Sequence, residues 1–354
     1  MRFHVLDAER PADLARWRAL WERWPGREVM ASPAYVRLFA RPGDRAVCLV
    51  GEGAGATILF PLVLRPLAAE PWAAPGEARW DATSPYGFGG PFALGDGVLE
   101  HEAFWDAYEA FCREARIVTT FARLSVFPGE LAPIRGRVVE RGPNVVRDLR
   151  PGLDAIWRDY AHNVRTNVRG AQKAGLRVEV DVTGASLDAF VDVYHHTMER
   201  RGASEWYFFS RPFFEAIVAN LTGQFGIVNV LAGSKVLSSE LVLASATRIY
   251  SFLGGTRAEA FKLRPNDLVR HGSVVWGVET GKSELVLGGG FAPEDGILRH
   301  KRYLAPNGDV PFRVAELVHD EPAFDALVRH RAALAAASGR AWAPREDFFP
   351  PYRA

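Results

Sequence analysis

Three runs rich in β-formers follow one another from Gly226, "GIVNVLAG", "KVLSSELVLAS" and "RIYSFLGG", with only short turns between them. Strands joined by two or three residues must pair antiparallel, because a parallel pair needs a long crossover. The same signature stands earlier in the chain, where "AVCLVGEGAGATILFPLVLR" (Ala46 to Arg65) reads as two strands around a glycine-rich hairpin. A doubly wound parallel sheet is therefore disfavoured.

Around each hairpin region the order is the same: helices first, hairpins next, then a helix and a strand. In the first half, "PADLARWRALWERW" opens on Pro11 with apolar residues at helical spacing, and Ser32–Pro33 is a cap signal for a short helix through Phe39. A helix in "VLEHEAFWDAYEAFCREA" is followed by strands in "IVTTFARLSVF" and "RVVERGPNVVRDL". In the second half, Ile156, Tyr160, Val164 and Val168 repeat every four residues. That spacing predicts one helix from Leu153 to Ala174, ended by Gly175, with "LRVEVD" as the next strand. Helices in "SLDAFVDVYHHTMERRG" and "RPFFEAIVANLTG" precede the three strands, and a helix from about Pro265 and a strand "SELVLGGG" follow them. The chain closes on a strand near "VPFRVAEL", a helix "EPAFDALVRHRAALAAA" and a tail from Ser338 expected to be irregular. The fold class is α+β, or mixed α/β, in two similar halves with mainly antiparallel sheets, 1–148 and 149–317.

The chain has 354 residues, 43 basic and 42 acidic, so no general basic coat for a nucleic acid exists. A polyanion would have to meet a local patch. Cys48 and Cys112 lie in apolar stretches and read as core residues. The start, "MRFHVLDAERPADL", lacks the apolar run of a secretory leader, and "ATILFPLVL" is far shorter than the roughly 20 residues of a spanning helix. A cytoplasmic protein without a transmembrane segment is expected; a peripheral membrane contact stays open.

Against this neutral background three stretches stand out. Arg165, Arg169 and Lys173 are four residues apart, so a helix stacks them on one face. From Arg158 to Arg177 five cations meet one acid, Asp159. Like charges so stacked repel by a few tenths of a kcal/mol per pair unless an anion relieves them, which suits phosphates; a solvated helix face is the plain alternative. The second stretch is "SPYGFGGP", Ser84 to Pro91. Gly87, Gly89 and Gly90 permit tight turns and close approach to a ligand, and Tyr86 and Phe88 are placed to stack on one; a rigid surface turn explains it equally well. The third is "LVLGGGFAPEDGILRHKRYLAP", where a strand ends in Gly288, Gly289 and Gly290, a loop follows, and Arg299, His300, Lys301 and Arg302 arrive together. Backbone amides at a triple glycine can meet an oxyanion; a flexible turn with a basic surface segment is the alternative.

Other chemistries find little support. His195, His196 and Glu199 suggest no third ligand, so no metal site is expected. There is neither a G-x-S-x-G elbow nor a G-x-x-x-x-G-K-[ST] loop.

Taken together and in order, "SPYGFGGP", "R-x-N-V-R-x-A-x-K-A-G" (Arg165 to Gly175), "Y-x-x-T-M-x-R" (Tyr194 to Arg200) and "LGGG…L-x-x-K-x-Y" resemble the Fem-type peptidoglycan aminoacyltransferases and their wider FemAB-related, GNAT-like group. The resemblance runs from about Ser84 to Leu317. It implies two tandem GNAT-like subdomains, with 318–354 returning to the first. It implies transfer of an aminoacyl group from aminoacyl-tRNA to an amine of a phosphate-bearing or lipid-linked cell-wall precursor; relatives use other amines in envelope or natural-product pathways. The family lysine, in a pattern like F-K-x-x-F, falls on Lys301, although His300 precedes it and the later aromatic is Tyr303. The family's basic helix start falls on Arg165 and Arg169. No pair of long helices is inserted to form a coiled-coil arm.

No cofactor is implied beyond the donor itself. The CoA-binding pattern R/Q-x-x-G-x-G/A has its nearest match in "QKAGLR" from Gln172, which fails at Arg177. Acyl-CoA remains the alternative donor, and a non-catalytic RNA- or glycan-binding protein on this scaffold a further alternative. On the main reading, Lys301 stabilises the charge that develops on the carbonyl oxygen, or holds an acceptor phosphate. Arg165, Arg169 and Lys173 hold phosphates in a pocket shared with Lys301. Tyr86, Gly87, Gly89 and Gly90 line the acceptor cleft, and Gly289 and Gly290 flank the lysine. Asp81 and Glu240 are the guesses for a general base.

Overall fold

The computed structural model describes the 354 residues except 205–206, 291–294, 340–341 and 346. The chain forms two compact units. The first holds Met1–Trp24, Met30–Arg141 and Phe312–Ala354; the second holds Pro25–Val29 and Gly142–Pro311. The division thus falls at Arg141/Gly142 rather than after residue 148, and a five-residue piece near the N-terminus belongs with the second unit.

The first unit begins with β1 (Arg2–Asp7), α1 (Pro11–Glu22) and α2 (Pro33–Arg37). Ser32 caps α2: its hydroxyl accepts a hydrogen bond from the Tyr35 N–H at 3.2 Å. The predicted hairpin is β2 (Arg45–Glu52) and β3 (Thr57–Pro66), paired antiparallel from Arg45–Leu64 to Glu52–Thr57. Then come β4 (Trp80–Thr83), β5 (Phe92–Leu94), α3 (His101–Glu114), β6 (Ile117–Arg123) and β7 (Arg137–Asp148), which runs on into the second unit. β4 and β6 are parallel, with α3 as their crossover. Phe60, Phe104, Trp105, Tyr108 and Cys112 are buried between α3 and the sheet. Burial of each large side chain stabilises by about 1.5–3 kcal/mol.

In the second unit the predicted single helix is two, α4 (Leu153–Asp159) and α5 (His162–Lys173). Tyr160 and Ala161 are extended, with ψ of 143° and 149°. The Ala161 N–H donates to the Tyr303 carbonyl at 2.9 Å instead of continuing the helix. The Arg165 guanidinium donates to the carbonyls of Arg158 (2.7 Å) and Tyr160, which the break leaves without amide partners. The apolar stripe survives the break. Ile156, Tyr160, Val164 and Val168 are all buried in one core with Val228, Val242, Leu285 and Leu287.

Next are β8 (Arg177–Asp181), α6 (Leu187–Arg201), α7 (Arg211–Asn220), β9 (Phe225–Ala232), β10 (Lys235–Ala244), β11 (Arg248–Thr256), α8 (Pro265–Glu279) and β12 (Glu284–Gly288). The three central runs pair antiparallel in order, and β12 lies parallel to β11 with α8 as the crossover. The motif of the first unit is thus repeated: antiparallel strands leading to one parallel pair that a single helix connects. A helix not anticipated from the sequence, α9 (Gly296–Leu304), follows. β13 (Asp309–Val318) leads back to the first unit, where it pairs with β6, and α10 (Glu321–Ala337) packs there through Ala323 and Leu327. The tail is anchored at its end. Tyr352 is fully buried, and Arg353 pairs with Asp81 and Glu70.

Candidate active site

The site in the second unit is built where β12 ends. Gly288 adopts φ 79°, a conformation costly for other residues, and a Cβ there would stand 3.4 Å from the Lys301 nitrogen. The strand therefore turns against the lysine rather than past it. α9 supplies Lys301. Asp295 caps this helix by accepting from the Leu298 N–H at 2.7 Å, and Leu298 and Leu304 anchor it in the core. With those faces fixed, Lys301 points inward and donates to the Gly289 carbonyl at 2.7 Å. Arg302 points outward to Asp309. From Gly296 the segment expected as basic surface is therefore a helix with Lys301 folded in, while residues 291–294 of the expected loop lie outside the described residues.

Lys301 is largely, though not wholly, withdrawn from water, and that desolvation pushes its pKa down to about 7. The positive charge of Arg270 pushes the same way, while Glu240 and Asp295 oppose it. Near neutral pH the amine is thus present in both its charged and uncharged forms.

The neighbours of Lys301 are held firmly. Arg270, on α8, pairs with the buried Glu240 of β10 and also reaches the Ser251 hydroxyl. Ser273 donates to the other oxygen of Glu240 at 2.7 Å. Asn144 is buried with its carboxamide against Gly289, where a Cβ would lie 3.3 Å from its oxygen. On the other side of α9, His300 Nε2 is 3.2 Å from Asp267, whose second oxygen accepts from Asn167 of α5 at 3.2 Å.

Several sequence expectations are corrected by this geometry. α5 does approach the lysine-bearing helix, through Asn167, Asp267 and His300, but its cations do not enter the same pocket. At about 100° per residue, Arg165 and Arg169 lie about 160–200° around α5 from Asn167. Arg165 is occupied by two helix-end carbonyls, Arg169 is exposed and lies over the Trp157 ring at 5.3 Å, and Lys173 is exposed. Glu240 is no free base, because Arg270 and Ser273 hold it. Asp81, in the first unit, is fully buried and paired with Arg65 and Arg353. His195 and His196 contact backbone groups of Phe209 (2.9 Å) and Ala258 (3.5 Å).

The "SPYGFGGP" loop follows β4 in the first unit. The Tyr86 carbonyl accepts from the Tyr35 hydroxyl at 2.7 Å, and the Tyr86 ring lies near Phe39. A Cβ on Gly87 would meet that same hydroxyl at 3.3 Å, one on Gly89 the Arg123 carbonyl at 3.2 Å, and one on Gly90 the Leu131 side chain at 3.0 Å. These glycines let the loop pack closely on its own unit. Gly290 is exposed just beyond Gly289.

His300 belongs to the basic run that the sequence marks, whereas Asn144, Arg270 and Asp267 carry no such mark. Asn144 is buried in β7, a strand that also carries Arg137, Glu140, Arg141, Arg147 and Asp148, so its polar side chain does not stand out in the sequence.

Residues 158–302 match the family model described as an acetyltransferase (GNAT) domain. The chain also shares its fold with solved structures. FemX aligns over 88% of this chain and 98% of its own at 12% identity, with a TM-score of 0.66. L-PGS from Bacillus licheniformis aligns over 86% and 91% at 14% identity, with a TM-score of 0.55. No curated protein matches the chain at significant similarity. The α+β fold expected from the motifs is borne out, residues 158–302 match a GNAT domain, and the likeness to FemX is one of fold.

Proposed function

We propose, for an acyltransferase with a GNAT domain at residues 158–302 and the fold of FemX, that the group transferred is an aminoacyl residue and that Lys301 moves the proton. The donor is an aminoacyl-tRNA. The acceptor is an amine of a cell-wall precursor or a related envelope or natural-product molecule. The observation that carries this reading is the Lys301 amine, pinned at 2.7 Å to the Gly289 carbonyl with its pKa brought down to about 7.

An aminoacyl ester is already activated, so the chemistry needs attack by a neutral amine, loss of that amine's proton and departure of the ribose oxygen. A lysine titrating near the working pH suits both proton steps. Uncharged Lys301 accepts the proton of the attacking nitrogen as the C–N bond forms. The resulting ammonium then stands as a cation beside the developing oxyanion, and returns the proton to the ribose oxygen as the C–O bond breaks. Arg169 and Lys173, exposed on the outer face of α5, are available to a phosphate backbone lying outside this pocket.

The test is transfer from radiolabelled charged tRNA, compared with acetyl-CoA, to amine acceptors. RNase-sensitive transfer abolished by Lys301→Ala supports the proposal. A second reading, acyl-CoA as donor, draws on the acetyltransferase description of the matching family model. RNase-resistant transfer from acetyl-CoA would establish it in place of the first.

A further inference from the structure

Between β11 and α8 the backbone makes a 3₁₀ turn, Ala258–Leu263, that displays Phe261, Lys262, Leu263 and Arg264 consecutively to solvent. Phe261 is 44% exposed and Leu263 39%, unusual for two large apolar side chains so close together. The end of α6 lies against this turn: the Arg200 guanidinium sits 4.9 Å from the centre of the Phe261 ring, and Arg201 is exposed beside it. Among the described residues, Arg200, Arg201, Lys262 and Arg264 make no ion pair. The nearby acids Asp192 and Glu259 are taken by Arg257 and Lys235, while Glu199 flanks the patch.

We propose that this turn and the end of α6 form a docking surface for an anionic lipid bilayer. Lys262, Arg264, Arg200 and Arg201 meet the headgroups, while Phe261 and Leu263 enter the acyl boundary. The charge is complementary to such a surface, and apolar side chains alternating with cations are what an interface between water and hydrocarbon selects. The backbone suits shallow insertion as well. The Ala260 and Arg264 amides donate to the Arg257 and Phe261 carbonyls, so the turn carries part of its own hydrogen bonding. A nucleic acid fits less well. Arg200 already covers a face of the Phe261 ring on which a base would stack, and Leu263 has no counterpart on a phosphate backbone. The surface opens α8, whose Asn266 and Asp267 contact His300 next to Lys301, so docking would bring a lipid-borne substrate to the site. The proposal does not depend on the donor or acceptor argued above.

The full chain is sedimented with vesicles of phosphatidylcholine alone and of phosphatidylcholine mixed with phosphatidylglycerol. Binding is expected only to the anionic vesicles. It should weaken about ten-fold or more in Arg200→Gln/Arg201→Gln/Lys262→Gln and in Phe261→Ser/Leu263→Ser, with Tm unchanged, and persist in Arg200→Lys/Arg201→Lys. No binding to anionic vesicles, or wild-type binding by the serine variant, overturns the proposal. So does unaltered vesicle binding accompanied by lost retention on immobilised tRNA, which would make the patch an RNA contact. Lys301→Ala should bind vesicles as wild type does, so loss of transfer and loss of docking are read separately.

Discussion

The side-chain nitrogen of Lys301 lies 2.7 Å from the carbonyl oxygen of Gly289. A carbonyl can accept from the amine in either protonation state, so the contact fixes the position of the nitrogen without fixing its charge. Charge is instead set by desolvation and Arg270, which bring the pKa to about 7. If the uncharged amine starts the reaction, kcat/KM rises with pH through about 7 and then levels. Lys301→Ala should lose about 10²–10⁴-fold in kcat, and Lys301→Arg should be nearly as poor, because guanidinium does not give up its proton. Initial rates across pH decide this. A profile that falls above pH 7, with activity retained by Lys301→Arg, would assign Lys301 a purely cationic role.

The same lowered pKa makes a prediction about stability. Folding moves Lys301 from the ordinary lysine value of 10.5 to about 7, so the unfolded chain binds more protons between those pH values. The cost of enclosing the amine is therefore full below pH 7 and is relieved as pH rises toward 10.5. Lys301→Met should be more stable than wild type at pH 6 by about 1–2 kcal/mol, a modest figure because the side chain is still partly solvated. The difference should vanish near pH 10.5. Urea unfolding at a series of pH values measures it.

How much of this was legible differs between fold and site. The hairpins and the helices that lie between strands carried clear period-2 and period-3.6 patterns, and the order of elements followed from them. The break at Tyr160–Ala161 did not show, because the apolar stripe continues across it. What splits the helix is a distant partner, the Tyr303 carbonyl. α9 was hidden by its basic run, in which only Leu298 and Leu304 are buried. Lys301 was found through a family pattern. Its burial, which lowers its pKa most, and the charged groups Arg270 and Glu240 that bias it come only with folding, the latter two from α8 and β10. The cationic row on α5 misled for a similar reason: spacing places side chains on a common face but does not say what that face meets.

The α5 cations should separate by experiment. Arg165 satisfies the Arg158 and Tyr160 carbonyls, so Arg165→Ala should lower stability by about 1.5–3 kcal/mol with little effect on substrate saturation. Arg169→Glu/Lys173→Glu should leave stability nearly unchanged and raise the KM for charged tRNA several-fold, most strongly at low salt. Thermal melts and saturation curves at two ionic strengths test both. A large KM effect from Arg165→Ala without destabilisation would restore that residue to the binding surface.

Arg270 and Glu240 act on Lys301 in opposite directions, so replacing each should move the pH profile oppositely. Arg270 repels the ammonium form; in Arg270→Gln the lysine pKa rises, and the activity limb shifts to higher pH. Glu240 favours the ammonium, so Glu240→Gln should shift the limb to lower pH. Each change breaks a pair whose carboxylate is almost wholly buried and should cost about 3 kcal/mol of stability. Stability alone therefore cannot reveal the electrostatic role. Two variants with similar losses of Tm but pH limbs displaced to opposite sides of the wild-type position would identify the pair as positioning residues for the lysine's charge. Limbs that stay in place, or move together, would reduce Arg270 and Glu240 to a structural bridge between α8 and β10.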